Sequence, residues 1–450
     1  MKFKDLGTFV DFLDESGELL KIEEELDPVH EISAAIRYGA EKTGKAILVR
    51  NVRGHDCPVV GNLLGTRERL GKALGVADDT LDDKFLFKEE DLISPEIVDS
   101  AEVKDIIIKN NIDLFDNLPV LTYHEGDVSP YITQGLVFMK DVETGFQTMG
   151  VHRLQVKSKD RLGIFFASST STEILRKAEN RKEALEVAVV IGVDPATLLA
   201  SVIWAPFGNK FEISGALRGE ALEMVQAETV DLKIPAHAMF VLEGKIPPGV
   251  REVEGPFGES TGYYITANNP VIELEAICKR ERPIYPVFIP WDKEDSQITD
   301  ITFAPSIFKY LKDFPSVVAV RLFGVAGVVI ISIKKRYDSE PREMLYSLLS
   351  LSRYIKIAMV VDDDVDLESQ KELAWAWGTR FSPDKDLIVV DSVSGSLIDP
   401  TAKGKDAVTS KLGIDATKPV HEKNAFRKIE SPGKVWQKIN LLFQRYLNDA

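Results

Sequence analysis

The sequence predicts a mixed α/β (α+β) protein of about three domains, and three observations lead there. At 450 residues the chain exceeds what one hydrophobic core organises. Its hydrophobic periodicity changes character twice along its length. Neither an internal repeat nor a low-complexity linker interrupts it, so the regions should pack closely on one another.

Residues 1–115 mix helical and strand patterns, as an α/β layer does. Phe3 to Leu20 has helical apolar spacing, Glu31 to Thr43 reads as a second helix, and Ala46-Ile47-Leu48-Val49 as a short buried strand. Over residues 116–305 the pattern becomes short strands separated by turn signals such as Glu143-Thr144-Gly145 and Lys157-Ser158-Lys159-Asp160, which fits a small barrel or sandwich. Residues 306–450 return to alternation. Strands are expected over 317–323, 328–333, 356–361 and 386–390, and helices over 340–354 and near 367–377, giving a second α/β domain.

Charge excludes some partners. With 55 Lys and Arg against 71 Asp and Glu, the net charge of −16 repels nucleic acid and anionic membranes, so an anionic small substrate needs a local basic pocket. Cys57 and Cys278 are the two cysteines, without metal-ligand spacing, which fits a reducing cytoplasm. The N-terminus has no apolar signal core. Val317 to Ile333 is broken by Arg321, Gly324 and Gly327 and reads as two buried strands rather than a membrane span. Phosphate-binding glycine loops and H-E-x-x-H are absent.

The most informative stretch is Glu254-Gly255-Pro256-Phe257-Gly258-Glu259, preceded by Arg251 and followed by Ser260-Thr261-Gly262-Tyr263-Tyr264. Two carboxylates five residues apart, separated by Gly, Pro and Phe, predict a shaped loop rather than a regular helix or strand. Such a pair can divide acid and base roles if its surroundings differ; two solvated glutamates on a tight turn are the plain alternative. Thr148 to Val156 alternates as a strand and puts Val151 and Arg153 on one face, where the guanidinium would need an anionic partner such as a loop glutamate, a carboxylate or a phosphate. His152 falls on the other face and reads as structural. Asp362-Asp363-Asp364-Val365-Asp366, between a strand and a helix, reads as helix capping before metal binding. Lys411, in the polar turn around Thr409-Ser410-Lys411-Leu412-Gly413, could meet a phosphate.

Taken together, Gly17-Glu18-Leu19-Leu20, the 58–65 run Pro-Val-Val-Gly-Asn-Leu-Leu-Gly, Gly215-Ala216-Leu217-Arg218-Gly219, 254–264, 360–366 and 410–417 resemble the UbiD family of reversible decarboxylases over nearly the whole chain. The resemblance implies a split β-barrel like those of flavin reductases between the two α/β domains, and homodimers or homohexamers built partly by the C-terminal domain. It implies prenylated FMN supplied by a flavin prenyltransferase, and a manganese-type divalent ion and potassium beside it. Glu259 is then the proton donor to the carbon that loses carbon dioxide, with Arg153 and Glu254 completing a Glu-Arg-Glu network. Val151, His152, Phe165, Phe166, Ala167, Thr170 and Ser171 fall where the family contacts the cofactor, and Lys411 would face its phosphate. The expected protein is a cytoplasmic carboxy-lyase acting on an aromatic or α,β-unsaturated carboxylic acid. A non-catalytic subunit of a carboxylase complex and an FMN-dependent redox protein are the rival readings.

One departure stands out. Counted from Arg153 and Glu259, the family's Asn, His and Glu metal ligands fall on Thr148, Ser169 and Lys210, two hydroxyls and a cation, a poor set for a hard divalent ion. The expectation is that these three hold the phosphate directly; a register slip would instead bring Glu212 to the third position. After the barrel, Trp291-Asp292-Lys293-Glu294-Asp295 replaces a Gly-Pro-rich stretch and leaves substrate specificity open.

Overall fold

A computed structural model describes residues 3–166, 168–203, 209–323, 327–404, 406–422, 425–429 and 432–448. The first helix is Leu6–Glu15, shorter than the 3–20 pattern predicts. Gly17, at φ 71°, turns the chain out of the helix, and Leu19–Leu26 continues as a strand. That strand pairs in parallel with Ala46–Val52, which also pairs with Val59–Gly61, while the helix Glu31–Thr43 crosses between the first two. A strand from beyond the barrel, Tyr285–Val287, completes this four-stranded sheet.

The centre is a closed barrel of six antiparallel strands. In spatial order they are Phe240–Ile246, Leu185–Ile191, Tyr131–Lys140, Gln147–Ser158, Arg161–Ile164 and Val271–Lys279, and the last pairs back onto the first. Closure removes exposed strand edges, and side chains such as Phe138 and Phe240 are buried against the elements around the barrel, Phe138 on Phe211 and Phe240 on Tyr285. The barrel and the N-terminal layer share one apolar core running from Phe3 to Ile301.

A long helix, Lys293–Tyr310, leads to a five-stranded mixed sheet in the order Val317–Phe323, Val328–Ile333, Ile357–Asp362, Val408–Ala416, Leu387–Ser394. Its two faces carry separate cores, one under the helix Glu340–Leu351 and one under the helix Gln370–Arg380. Among the described residues no helix is long and apolar enough to cross a membrane.

The acids at 362–366 do not cap a helix as expected. Ser369 caps Gln370–Arg380, whereas Asp362 and Asp364 both bind the buried Arg380, and Asp364 also takes Lys418. A buried guanidinium demands counter-charge more strongly than helix amides demand a cap. These contacts outweigh the burial of Asp364 and lower its carboxyl to about 2.

Candidate active site

The 254–259 segment is not a free loop. Residues Glu252–Gly258 form a strand paired with Tyr264–Asn269, and the register slips between Glu254 and Phe257. The slip absorbs Gly255-Pro256: proline has no N–H to give the ladder, and Gly255, at φ 97°, lets the Ile265 carbonyl come so close that a Cβ would lie 2.3 Å from it. Tyr263 and Tyr264 remain exposed on the hairpin, while Glu254 points inward and Glu259 follows at the strand end.

Arg153, on the central barrel strand, joins the two acids. Its Nη2 donates to Glu254 Oε2 at 2.7 Å and its Nη1 donates to Glu259 Oε2, so one planar guanidinium fixes both carboxylates. Glu254 is fully buried, and Asn269 also donates to its Oε2 at 3.0 Å. Burial works against the charge on Arg153, but Glu259 and Glu254 overcome it and raise its pKa. The guanidinium carbon lies 4.4 Å from the ring centre of Phe165 and 5.3 Å from that of Phe257, which limits its freedom further. Ser260 donates to Glu259 Oε1 from both its backbone N–H and its hydroxyl.

Glu259 and Arg153 face a cavity of about 410 Å³ between the barrel and the C-terminal domain, while Glu254 stands behind Arg153 and does not line it. Phe165, Phe257, Phe288 and Ile298 give it apolar walls, and Leu322, Tyr354 and Ile398 close it from the C-terminal side. A flat, largely apolar ring system with a polar tail suits such a space.

Six consecutive residues, Thr148 to Arg153, line this cavity, so it wraps around the strand instead of lying over one face. Alternation therefore failed to separate His152 from the site. The imidazole is packed edge-on to Phe166 at 5.1 Å and bonded to the Phe165 carbonyl and Ser171. Burial, aided by the charge of Lys210, pushes it down to about 4, so His152 is neutral near pH 7. Beyond it Ser169, Thr170 and Ser171 open the helix Ser169–Asn180, and Lys210 opens Lys210–Arg218. Lys210 Nζ donates to the Ser201 carbonyl at 2.5 Å, and burial lowers its pKa to about 8.

Sequence models of the 3-octaprenyl-4-hydroxybenzoate carboxy-lyase match the chain in three successive parts: the N-terminal domain over 10–88, the Rift-related domain over 96–293 and the C-terminal domain over 297–416. The chain belongs to the UbiD family. It is a carboxy-lyase of that class with the class's three-part fold. It is 31% identical over 425 residues to the anhydromevalonate phosphate decarboxylase of Methanothermobacter thermautotrophicus, covering 93% of this chain and 98% of that protein. With the phenolic acid decarboxylase of Bacillus subtilis it shares 32% identity over 444 residues, covering 93% of each. Among solved structures, the UbiD-class enzyme HmfF from Pelotomaculum thermopropionicum, in complex with FMN, superposes with a TM-score of 0.88 at 36% identity, covering 95% of this chain and 98% of that one. An evolved dimeric form of HmfF, solved with prFMN, gives 0.86 at 35%, covering 96% and 98%.

The other residues expected in this UbiD site are distributed unevenly. Thr148, Val151, His152, Phe165, Ser169, Thr170, Ser171 and Lys210 all face the cavity. Phe166 backs His152, and Ala167 lies outside the described residues. Lys411 is buried in the C-terminal domain, where its ammonium donates to the carbonyls of Leu349 and Ser352; Ser352 lines the cavity, and Lys411 stands behind it. Glu212 hydrogen-bonds Ser94 and does not line the cavity.

Sequence reasoning missed Asp295. Asp292 caps the helix Lys293–Tyr310, which places Asp295 in its first turn beside Ser260, facing the same cavity with its buried Oδ2 unpartnered among the described residues. Burial, with repulsion from Glu259, pushes Asp295 up to about 6. An acid just after the barrel was its only sequence signal.

Proposed function

We propose that the protein is a prenylated-FMN-dependent decarboxylase or carboxylase of an aromatic or α,β-unsaturated carboxylic acid, with Glu259 as the proton donor. The observation that carries this reading is the Glu254–Arg153–Glu259 chain, which ends in a carboxyl at the wall of a cavity large enough for a flavin and a small acid. When bound, the prenylated flavin supplies the electrophile and electron sink that loss of carbon dioxide requires.

Glu259 delivers its proton to the carbon that has released carbon dioxide and becomes a carboxylate, which Arg153 and the two Ser260 donors stabilise. In the carboxylation direction the same oxygen removes that proton. Glu254, buried and held by Asn269, keeps the guanidinium aimed at Glu259. Phe165, Phe257 and Phe288 exclude water from the reacting acid. Glu259, Arg153 and Glu254 are thus assigned to the chemistry, and Thr148, Val151, His152, Phe165, Ser169, Thr170, Ser171 and Lys210 to the flavin.

A flavin prenyltransferase is the implied supplier of cofactor, and a homo-oligomer the expected assembly. The test is co-expression with such an enzyme, mass analysis of the bound flavin, and labelled bicarbonate exchange against a panel of aromatic and unsaturated acids. Exchange into one acid class supports the reading. A protein loaded with prenylated flavin that exchanges none of them refutes it.

A further inference from the structure

We propose that Lys210, with the hydroxyls of Thr148, Ser169 and Ser171, holds the phosphate of the flavin nucleotide directly, the ammonium standing where a divalent ion would otherwise bridge phosphate to protein. The inference rests on the flavin reading above and concerns a different set of residues lining the same cavity.

The cavity is lined by His152, Arg153 and Lys210 as its cationic residue types. Arg153 is committed to Glu254 and Glu259. His152 carries no charge near neutrality, with Nδ1 at the Phe165 carbonyl and Nε2 at Ser171. Lys210 remains: among the described residues its ammonium meets the Ser201 carbonyl and no carboxylate. A cation buried at a cavity wall without a carboxylate partner pays a desolvation cost, which an anionic ligand would offset.

The surroundings suit a phosphate. A Cβ built on Gly150 would make ordinary contact, 3.4 Å from His152 Nε2 and 4.0 Å from the Ser201 carbonyl that receives Lys210, which puts this stretch of the strand beside both groups. Ser169 and Lys210 each begin a helix, of 12 and 9 residues, whose free N–H groups favour negative charge. Thr148 and Arg153 are five residues apart on one strand, about 16 Å at ~3.3 Å per residue, so a ring near Arg153 and a phosphorylated tail near Thr148 can lie end to end.

A divalent ion does not fit here. Thr148, Ser169 and Lys210 offer two neutral hydroxyls and a like charge, and no group of three His, Cys, Asp or Glu able to hold a metal occurs among the described residues. The cavity's acids, Glu259 and Asp295, sit together at the Ser260 end.

Apo-protein titrated with FMN and with riboflavin, which lacks the phosphate, separates the two ends of the ligand through flavin fluorescence. FMN should bind more tightly than riboflavin by on the order of 10- to 100-fold, and EDTA should leave that ratio unchanged. Lys210→Met should remove most of the preference with riboflavin affinity intact, which also reports a sound fold; Lys210→Glu should make FMN the weaker ligand, and Lys210→Arg should retain the preference. A preference that survives Lys210→Met, or one that needs a stoichiometric divalent ion and vanishes in EDTA, overturns the assignment, and binding of neither flavin overturns it together with the flavin reading. Lys210-dependent FMN binding without bicarbonate exchange in the prenylated holoenzyme upholds the phosphate seat and sinks the decarboxylase reading alone.

Discussion

Replacing Arg153 by methionine removes the charge that joins the two glutamates while keeping a chain of similar length. Glu254 would lose the donor at 2.7 Å and keep the one from Asn269, in a place of 0% exposure where, among the described residues, its Oε1 has no hydrogen-bond partner. Two unit charges about 4 Å apart in a medium of effective dielectric ~20 attract by about 4 kcal/mol. Breaking a buried ion pair by deleting one member costs about 3–5 kcal/mol. The two routes agree, so Arg153→Met should weaken the barrel by about 3–5 kcal/mol. Arg153→Met/Glu254→Gln, which deletes the stranded charge as well, should recover at least about 2 kcal/mol. Amide hydrogen exchange in the strand Gln147–Ser158 reads this locally, without assuming that a multidomain chain unfolds in one step. A single variant within about 1 kcal/mol of the parent, or a double variant no better than the single, would refute the claim that Glu254 is stranded without Arg153.

Three further outcomes are expected. Glu259→Gln keeps the size of the side chain but cannot donate a proton as an acid, so bicarbonate exchange should fall by about 10²–10⁴-fold while flavin binding persists; exchange at the parent rate would remove Glu259 from its role. Asp295, at about 6 in the folded protein against about 3.9 unfolded, binds its proton first on the folded side as pH falls. It therefore costs stability above pH 6, a cost that fades between about pH 6 and pH 4, so Asp295→Asn should stabilise by about 3 kcal/mol at pH 7 and hardly at pH 4, read as the difference in urea midpoints at the two values; equal effects at both would contradict the assignment. Gly255→Ala forces a Cβ to within 2.3 Å of the Ile265 carbonyl at φ 97°, so the hairpin should lose about 1–3 kcal/mol and exchange activity should drop with it, whereas a parent-like urea midpoint would show that the slip does not require glycine.

Much of this was legible from residue order. The helix Glu31–Thr43 and the strands Val317–Phe323 and Val328–Ile333 fall where their periodicity puts them, because one buried face or a continuous apolar run records burial directly. The hairpin carrying Glu254 was misread as a loop because Gly-Pro signals a break locally, whereas pairing with Tyr264–Asn269 tolerates a slipped register there. The acids at 362–366 were misread for a related reason: their partners, Arg380 and Lys418, are distant in sequence.

By itself the sequence determined which chemistry was possible: two carboxylates in a Gly-Pro segment, an arginine on an alternating strand, hydroxyls and a lysine at the positions 148, 169 and 210, and family motifs in order along the chain. The resemblance those motifs carry implied the Glu-Arg-Glu network and a place for His152 at the cofactor; tertiary structure alone decided that Glu254 is hidden while Glu259 meets the cavity, and that Asp295 arrives from a later helix. The physical reason is that side-chain type is written locally, whereas burial, charge pairing and the pKa values that follow depend on which distant segments barrel closure brings within a few ångströms.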